Sequence, residues 1–171
     1  MIHRSKSKGF TLLELMIVMI LLSILALLLI GNYMSSIKKG RDSRRKNDLN
    51  QIQRALEMYY EDTNRYPVLT DAELFGKKLC NTAPDWNNCT KSYMVKVPTD
   101  PNSNYSYHYV TDGTSSPQFY YIYSAIENDQ DQSQNVSIKG YVGIDTSCGS
   151  TSVICRYFVS SSNAPLPTPK P

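Results

Sequence analysis

The sequence predicts an α+β protein: a long N-terminal α-helix, half membrane segment and half amphipathic, packed against a small antiparallel sheet. Three observations predict it. Residues 10–30 form an apolar run, apolar side chains then recur at three- and four-residue steps, and the C-terminal portion holds short tyrosine-rich alternating segments between turn residues. A chain of 171 residues has room for one modest domain beside one membrane helix.

The run reads FTLLELMIVMILLSILALLLI, and Glu14 is its only charged residue. At about 1.5 Å per residue it is long enough for a hydrocarbon layer of roughly 30 Å. It is apolar on every side, which suits lipid better than a soluble surface. A secretory signal peptide has an apolar region of about 7–15 residues and a small-residue cleavage site, which Gly31-Asn32-Tyr33 does not supply. A carboxylate within such a helix costs about 2.5–3.5 kcal/mol at the bilayer centre. Glu14 therefore either has a functional partner or reaches the headgroups, and the run alone leaves both open.

Charge changes along the chain. Residues 1–46 carry nine Lys and Arg against two acids, Glu14 and Asp42, and the remainder carries nine against thirteen. Lys38, Lys39, Arg41, Arg44, Arg45 and Lys46 form a basic stretch. Leu49, Ile52, Leu56 and Tyr59 follow at helical spacing, and Asn64 and Pro67 supply stop signals. One helix from Phe10 to about Asp62 is expected, with residues 31–63 as its amphipathic continuation. The basic stretch is expected to be a solvated or lipid-facing flank, in preference to a nucleic-acid surface.

Residues 64–159 are expected to form a globular head. Pro67, Pro84, Pro98 and Pro101 mark a loop-rich start, and strands are expected over residues 105–110, 118–126, 137–144 and 153–159. Tyr105, Tyr107 and Tyr109 alternate, so a strand would carry them on one face, and Asp112-Gly113 marks a turn. Most of the thirteen tyrosines are expected in sheet and core with hydroxyls reaching water, a few of them available for adhesion. Cys80, Cys89, Cys148 and Cys155 are an even set in short loops, which points to two disulfides and an oxidising compartment; three pairings remain open. The Ser- and Pro-rich tail, residues 160–171, is expected to be disordered. No phosphate loop or catalytic constellation occurs, and His108 stands among tyrosines, so no enzyme is expected.

The segment Lys8-Gly9-Phe10-Thr11-Leu12-Leu13-Glu14-Leu15, behind the basic residues Arg4, Lys6 and Lys8, resembles the class III signal of type IV prepilins and type II secretion pseudopilins. The stretch from Asn47 to Tyr60, with Asn64-Arg65-Tyr66-Pro67, is similar to the helix end of the major pseudopilin. Many members carry a helix-kinking proline where this chain has Gly31. The resemblance implies a pilin-like fold and a leader, residues 1–9, cut after Gly9 by a prepilin peptidase that then methylates Phe10. It implies that Glu14 neutralises the ammonium of an adjoining copy during fibre growth, which low dielectric would strengthen. Partners would be other copies, minor pseudopilins, the peptidase, the inner-membrane assembly platform and, before assembly, the bilayer. The subunit would cross the inner membrane once with its head outside and end in a periplasmic or extracellular fibre. A minor pilin whose head binds a surface, glycan or DNA is the alternative. Some major pseudopilins bind calcium in a C-terminal loop; Glu127, Asp129 and Asp131 are weak candidates here, and a solvated acidic loop is the preferred reading.

Overall fold

The structure, a computed structural model, describes residues 9–85, 87–137, 139–141, 147–149 and 153–171, apart from the side chains of residues 28–32. The basic leader over residues 1–8 lies outside the described residues. Two compact units are present, Met1–Lys38 and Lys39–Pro171.

Helix α1 (Leu12–Thr63) begins two residues later and ends one residue later than expected. Its start is set by Thr11, whose side-chain oxygen accepts the Glu14 N–H at 3.2 Å while its carbonyl accepts the Leu15 N–H. No proline interrupts the next 52 residues. Its stop is Asn64, which takes a left-handed φ of 53° and donates its N–H to the Tyr60 carbonyl at 2.8 Å. Asparagine tolerates that conformation, so the sequence signal has a physical basis.

In the second unit α1 buries Leu49, Ile52, Ala55, Leu56 and Tyr59. They meet Tyr109, Tyr120, Ile122, Tyr157 and Val159 from a three-stranded sheet. That sheet consists of β3 (His108–Thr111), β4 (Tyr120–Ser124) and β5 (Tyr157–Ser160), antiparallel in the order β3-β4-β5. Tyr109, Ile122 and Val159 lie side by side across it. Gly113, at φ 77°, serves the turn after β3, where Asp112 accepts N–H bonds from Thr114 and Gln118. A smaller antiparallel pair, β1 (Leu79–Cys80) and β2 (Ser92–Met94), flanks the disulfide Cys80–Cys89. Helix α2 (Asp71–Leu74) is held by a reciprocal cap between Thr70 and Glu73.

The outer face of the sheet is covered too. Tyr123 and Phe158 pack with Tyr141 and with Cys148 and Cys155, which form the second disulfide. Both outer strands of the sheet have their exposed backbone partly taken up. Asp71 accepts the Tyr109 N–H of β3 at 2.7 Å, and beside β5 the Phe158 N–H donates to the Asn135 carbonyl while Ser137 donates to Arg156.

Three expectations change. The first strand starts at His108 instead of residue 105, because Tyr105 turns away to the second cluster. The expected strand at 137–144 is not continuous among the described residues; Val136 and Tyr141 make isolated bridges to Tyr157 and Pro169, and residues 138 and 142–144 lie outside the description. The tail, expected to be disordered, is tied down. β5 runs to Ser160, Ser161 is buried, Asn163 donates to the Gln118 carbonyl, Tyr121 donates to the Pro165 carbonyl and Lys170 donates to the Gly140 carbonyl. Composition underestimated the tail because a few backbone and side-chain polar groups, the Pro165 carbonyl, the Lys170 N–H and the Asn163 amide, supply those ties.

Ile52 is completely buried between α1 and the sheet. Ile52→Ala is expected to lower head stability by about 2–5 kcal/mol, read from denaturant unfolding of the full chain in detergent followed by tyrosine near-UV signal.

Candidate functional site

The first unit presents an uncovered apolar surface. Phe10 is 85% exposed, and the large apolar side chains from Leu12 to Leu27 are all exposed, ending with Leu27 at 73%. Nothing in the described residues of the chain shields them. Glu14 lies exposed in the first turn of α1, where the partial positive charge of the helix start favours a carboxylate. Gly9 is exposed, non-helical and has open space around its Cα. Among the described residues no helix is long and apolar enough to cross a membrane. The apolar sequence continues into residues 28–30, whose side chains are not described.

The second unit contains a cluster that sequence reasoning did not foresee. The basic stretch does not face lipid or solvent throughout. Arg45 is 0% exposed, and its guanidinium gathers three carboxylates. It donates to Asp100 at 2.7 and 2.9 Å, to Asp42 at 2.7 Å and to Glu127 at 2.8 Å. Arg41 grips the same Glu127. Asp42 in turn accepts the backbone N–H groups of Glu127 and Asn128 at 3.0 and 2.9 Å. Tyr105 lies under the Arg45 guanidinium, 5.0 Å from ring centre. Lys46 binds Asp131 at 2.5 Å, and Arg156 pairs with Asp129.

Burial opposes the charge on Arg45, but the hydrogen bonds from Asp100 and Glu127 outweigh it and raise its affinity for the proton. The Arg41 hydrogen bond, with help from Arg45, holds the Glu127 carboxyl below the ordinary glutamate range. For Asp131 burial pushes upward, and the Lys46 and Ser133 hydrogen bonds reverse it to a net lowering. Asp48 moves the other way, raised by burial.

These pairings correct two expectations. The acids expected to form a solvated loop, with calcium as the weaker option, are neutralised from within the chain. Glu127 faces Arg41 and Arg45, Asp131 faces Lys46, and Asp129, its side chain 73% exposed, pairs with Arg156. A signal for the cluster was present in the sequence. Positions 42, 45, 49, 52, 56 and 59 continue one three- and four-residue stripe, and all six are buried. Asp42 and Arg45 occupy core positions on it, but their charge disguised them.

The tyrosines also turn inward. Tyr66 and Tyr120 donate to Glu57 at 2.8 and 3.2 Å, Tyr107 to Asp48 and Tyr109 to the Pro67 carbonyl, so these hydroxyls end on protein instead of water. Burial raises all four, and pushes Tyr141 up to about 12. His108 sits in β3 with its Nδ1 2.5 Å from Asp71.

The chain matches the family described as Prokaryotic N-terminal methylation motif over residues 4–30, and the family described as Type II secretion system (T2SS), protein G over residues 32–139. A protein named type II secretion system core protein G from Pseudomonas aeruginosa is 36% identical over 118 residues, covering 67% of this chain and 81% of its own. Proteins of the same name from Vibrio cholerae and Aeromonas hydrophila are 34% and 33% identical over 109 and 105 residues, covering 63% and 60% of this chain and 73% and 72% of theirs. No solved structure matches.

Removing the Arg45 guanidinium takes the buried cation from three carboxylates, leaving Asp42 and Asp100 with backbone N–H donors alone and Glu127 with Arg41. Arg45→Met is expected to cost about 3–5 kcal/mol by denaturant unfolding, whereas Arg44→Met, at a side chain 67% exposed, changes stability by less than about 0.5 kcal/mol. Acid should act on the same cluster. Glu127 and Asp131 have lowered folded values, so their contribution is complete above the unfolded carboxylate range and is lost as pH falls through the folded values. Thermal stability is therefore expected to hold from pH 7 to about 5 and to fall below about pH 4, with Asp48 offsetting part of the fall. Glu127→Gln should be less stable at pH 7 and show a shallower acid limb in melts recorded at each pH.

Proposed function

Because the chain belongs to the type II secretion system protein G family, we propose that it is a structural subunit of a type II secretion pseudopilus, cleaved after Gly9, methylated at Phe10 and polymerised through its N-terminal helix. The observation that carries this is the continuous exposed apolar surface from Phe10 to Leu27, beginning at an open glycine and containing a single carboxylate. Burying such a surface against copies of itself spares about 25 cal/mol per Å2 of apolar area that would otherwise meet water, which would hold in the fibre a helix drawn out of lipid.

The chemistry of the first turn fits the role. Hydrolysis of the Gly9–Phe10 peptide removes the basic leader and leaves an amine on Phe10. That ammonium lies at the positive end of α1, where it is disfavoured, and the Glu14 carboxylate of a neighbour offsets it. Pairing at one axial offset would set the subunit register. Before assembly the helix would span the inner membrane once, with the disulfide-bonded head on the oxidising side. The partners would be further copies, minor pseudopilins, the prepilin peptidase and the assembly platform. The role requires no catalysis from the head. Its ion pairs and tyrosine core serve to present a stable body on each helix.

The mature protein is expected to begin at methylated Phe10, which mass spectrometry of the N-terminal peptide will show; an intact leader in cells with an active prepilin peptidase overturns the proposal. Glu14→Ala is expected to insert in the membrane at normal levels but to yield no fibres by electron microscopy. Fibres at normal number and length would mean the carboxylate has no part in assembly.

A further inference from the structure

Thr11 lies between the scissile bond and the helix. Gly9, Phe10 and Thr11 are non-helical, and α1 starts at Leu12. The Thr11 hydroxyl oxygen accepts the Glu14 N–H at 3.2 Å, and the Thr11 carbonyl accepts the Leu15 N–H at 3.2 Å. This arrangement satisfies one of the helix-start N–H groups that otherwise lack a partner. It also decides where the helix ends. A capping residue takes a non-helical backbone, so the residues before it are held out of the helix.

We infer that Thr11 is a positioning residue for maturation: its cap stops α1 at Leu12, three residues after Gly9, and keeps the Gly9–Phe10 peptide in an open, non-helical segment that a peptidase can take up. This rests on the functional reading above and deepens it.

A peptide bond inside a helix has its carbonyl engaged four residues onward and its backbone screened by side chains. Cleavage requires water to add to the Gly9 carbonyl carbon, the C–N bond to break and the Phe10 nitrogen to leave with the proton. All of these need the peptide group free and reachable from one side. In the sequence the residues before the apolar run contain no proline, so no fixed backbone prevents the helix from extending backward through Phe10 and Gly9. Glycine weakens such an extension and the Thr11 cap blocks it. The two act together, and Gly9 has open space on its Cα side for close approach. The same hydrogen bond holds the Glu14 amide, so the cap fixes the turn that carries the Glu14 carboxylate.

The test uses the full-length precursor in detergent micelles with a purified prepilin peptidase, with cleavage followed by mass spectrometry. Thr11→Val keeps the shape and removes the acceptor, and Thr11→Ser keeps the acceptor. Thr11→Val is expected to lower kcat about five-fold, the weight of one helix cap, with KM little changed. Thr11→Ser is expected to be cut at the wild-type rate. Equal rates for Thr11→Val and wild type, or equal loss in both variants, overturn the inference while leaving the functional reading in place. A wild-type precursor that stays uncut overturns the reading and this inference with it.

Discussion

One buried guanidinium organises the head. Arg45 sits on the core stripe of α1 and draws three carboxylates from three stretches of chain, Asp42 one helical turn away, Asp100 from the loop after β2 and Glu127 from the loop after β4. Asp42 extends the arrangement to the backbone of residues 127 and 128. Two connections with little regular structure of their own thus acquire fixed positions against the helix. The apolar stripe below supplies the driving force for packing, and the ion cluster selects which loops lie where. A hydrophobic contact in the place of Arg45 would bind the helix to the head with little directional preference, whereas a guanidinium with four directed hydrogen bonds favours one arrangement of the three acids.

The two units of the chain illustrate opposite treatments of charge. In the second unit, Arg41, Arg45, Lys46 and Arg156 are each paired with acids, and the hydroxyls of Tyr66, Tyr107, Tyr109 and Tyr120 find protein acceptors. In the N-terminal segment, a single acid stands in an apolar field without an internal partner among the described residues. In the proposed role this contrast separates a self-sufficient body from a segment that other copies would complete.

Sequence reasoning could see the long helix, its end at Asn64, the α+β class and the turn at Gly113, because each rests on a local signal: period, left-handed tolerance or turn chemistry. It missed the fate of Arg41, Arg45 and Lys46, since the acids they bind, Asp42 apart, lie 55 to 86 residues away and no local pattern brings distant acids to mind. The stripe spacing from position 42 held the clue, but a rule that treats charge as exposure discards it. The tail was misjudged for a related reason. Its composition cannot build a core, yet it needs only carbonyls and a few side chains to fasten onto a core built by others. The tyrosines were placed correctly in sheet and core, but their hydroxyl partners, Glu57, Asp48 and Pro67, depend on tertiary contacts that alternation does not encode.

Asp71, at the start of α2, takes the free amide of Tyr109, and residues 135–137 occupy the far side of β5. The rim of the sheet is thereby partly occupied, which hinders pairing with a strand from another molecule. Heads concentrated along a filament meet one another at distances where open rims would zip together and fuse irreversibly. In the proposed filament, cohesion would then be left to the greasy N-terminal helices, whose apolar contacts can be remade as subunits slide or withdraw while the Glu14 pairing sets their register. A filament built this way would return its subunits to the membrane as separate chains instead of as fused sheets.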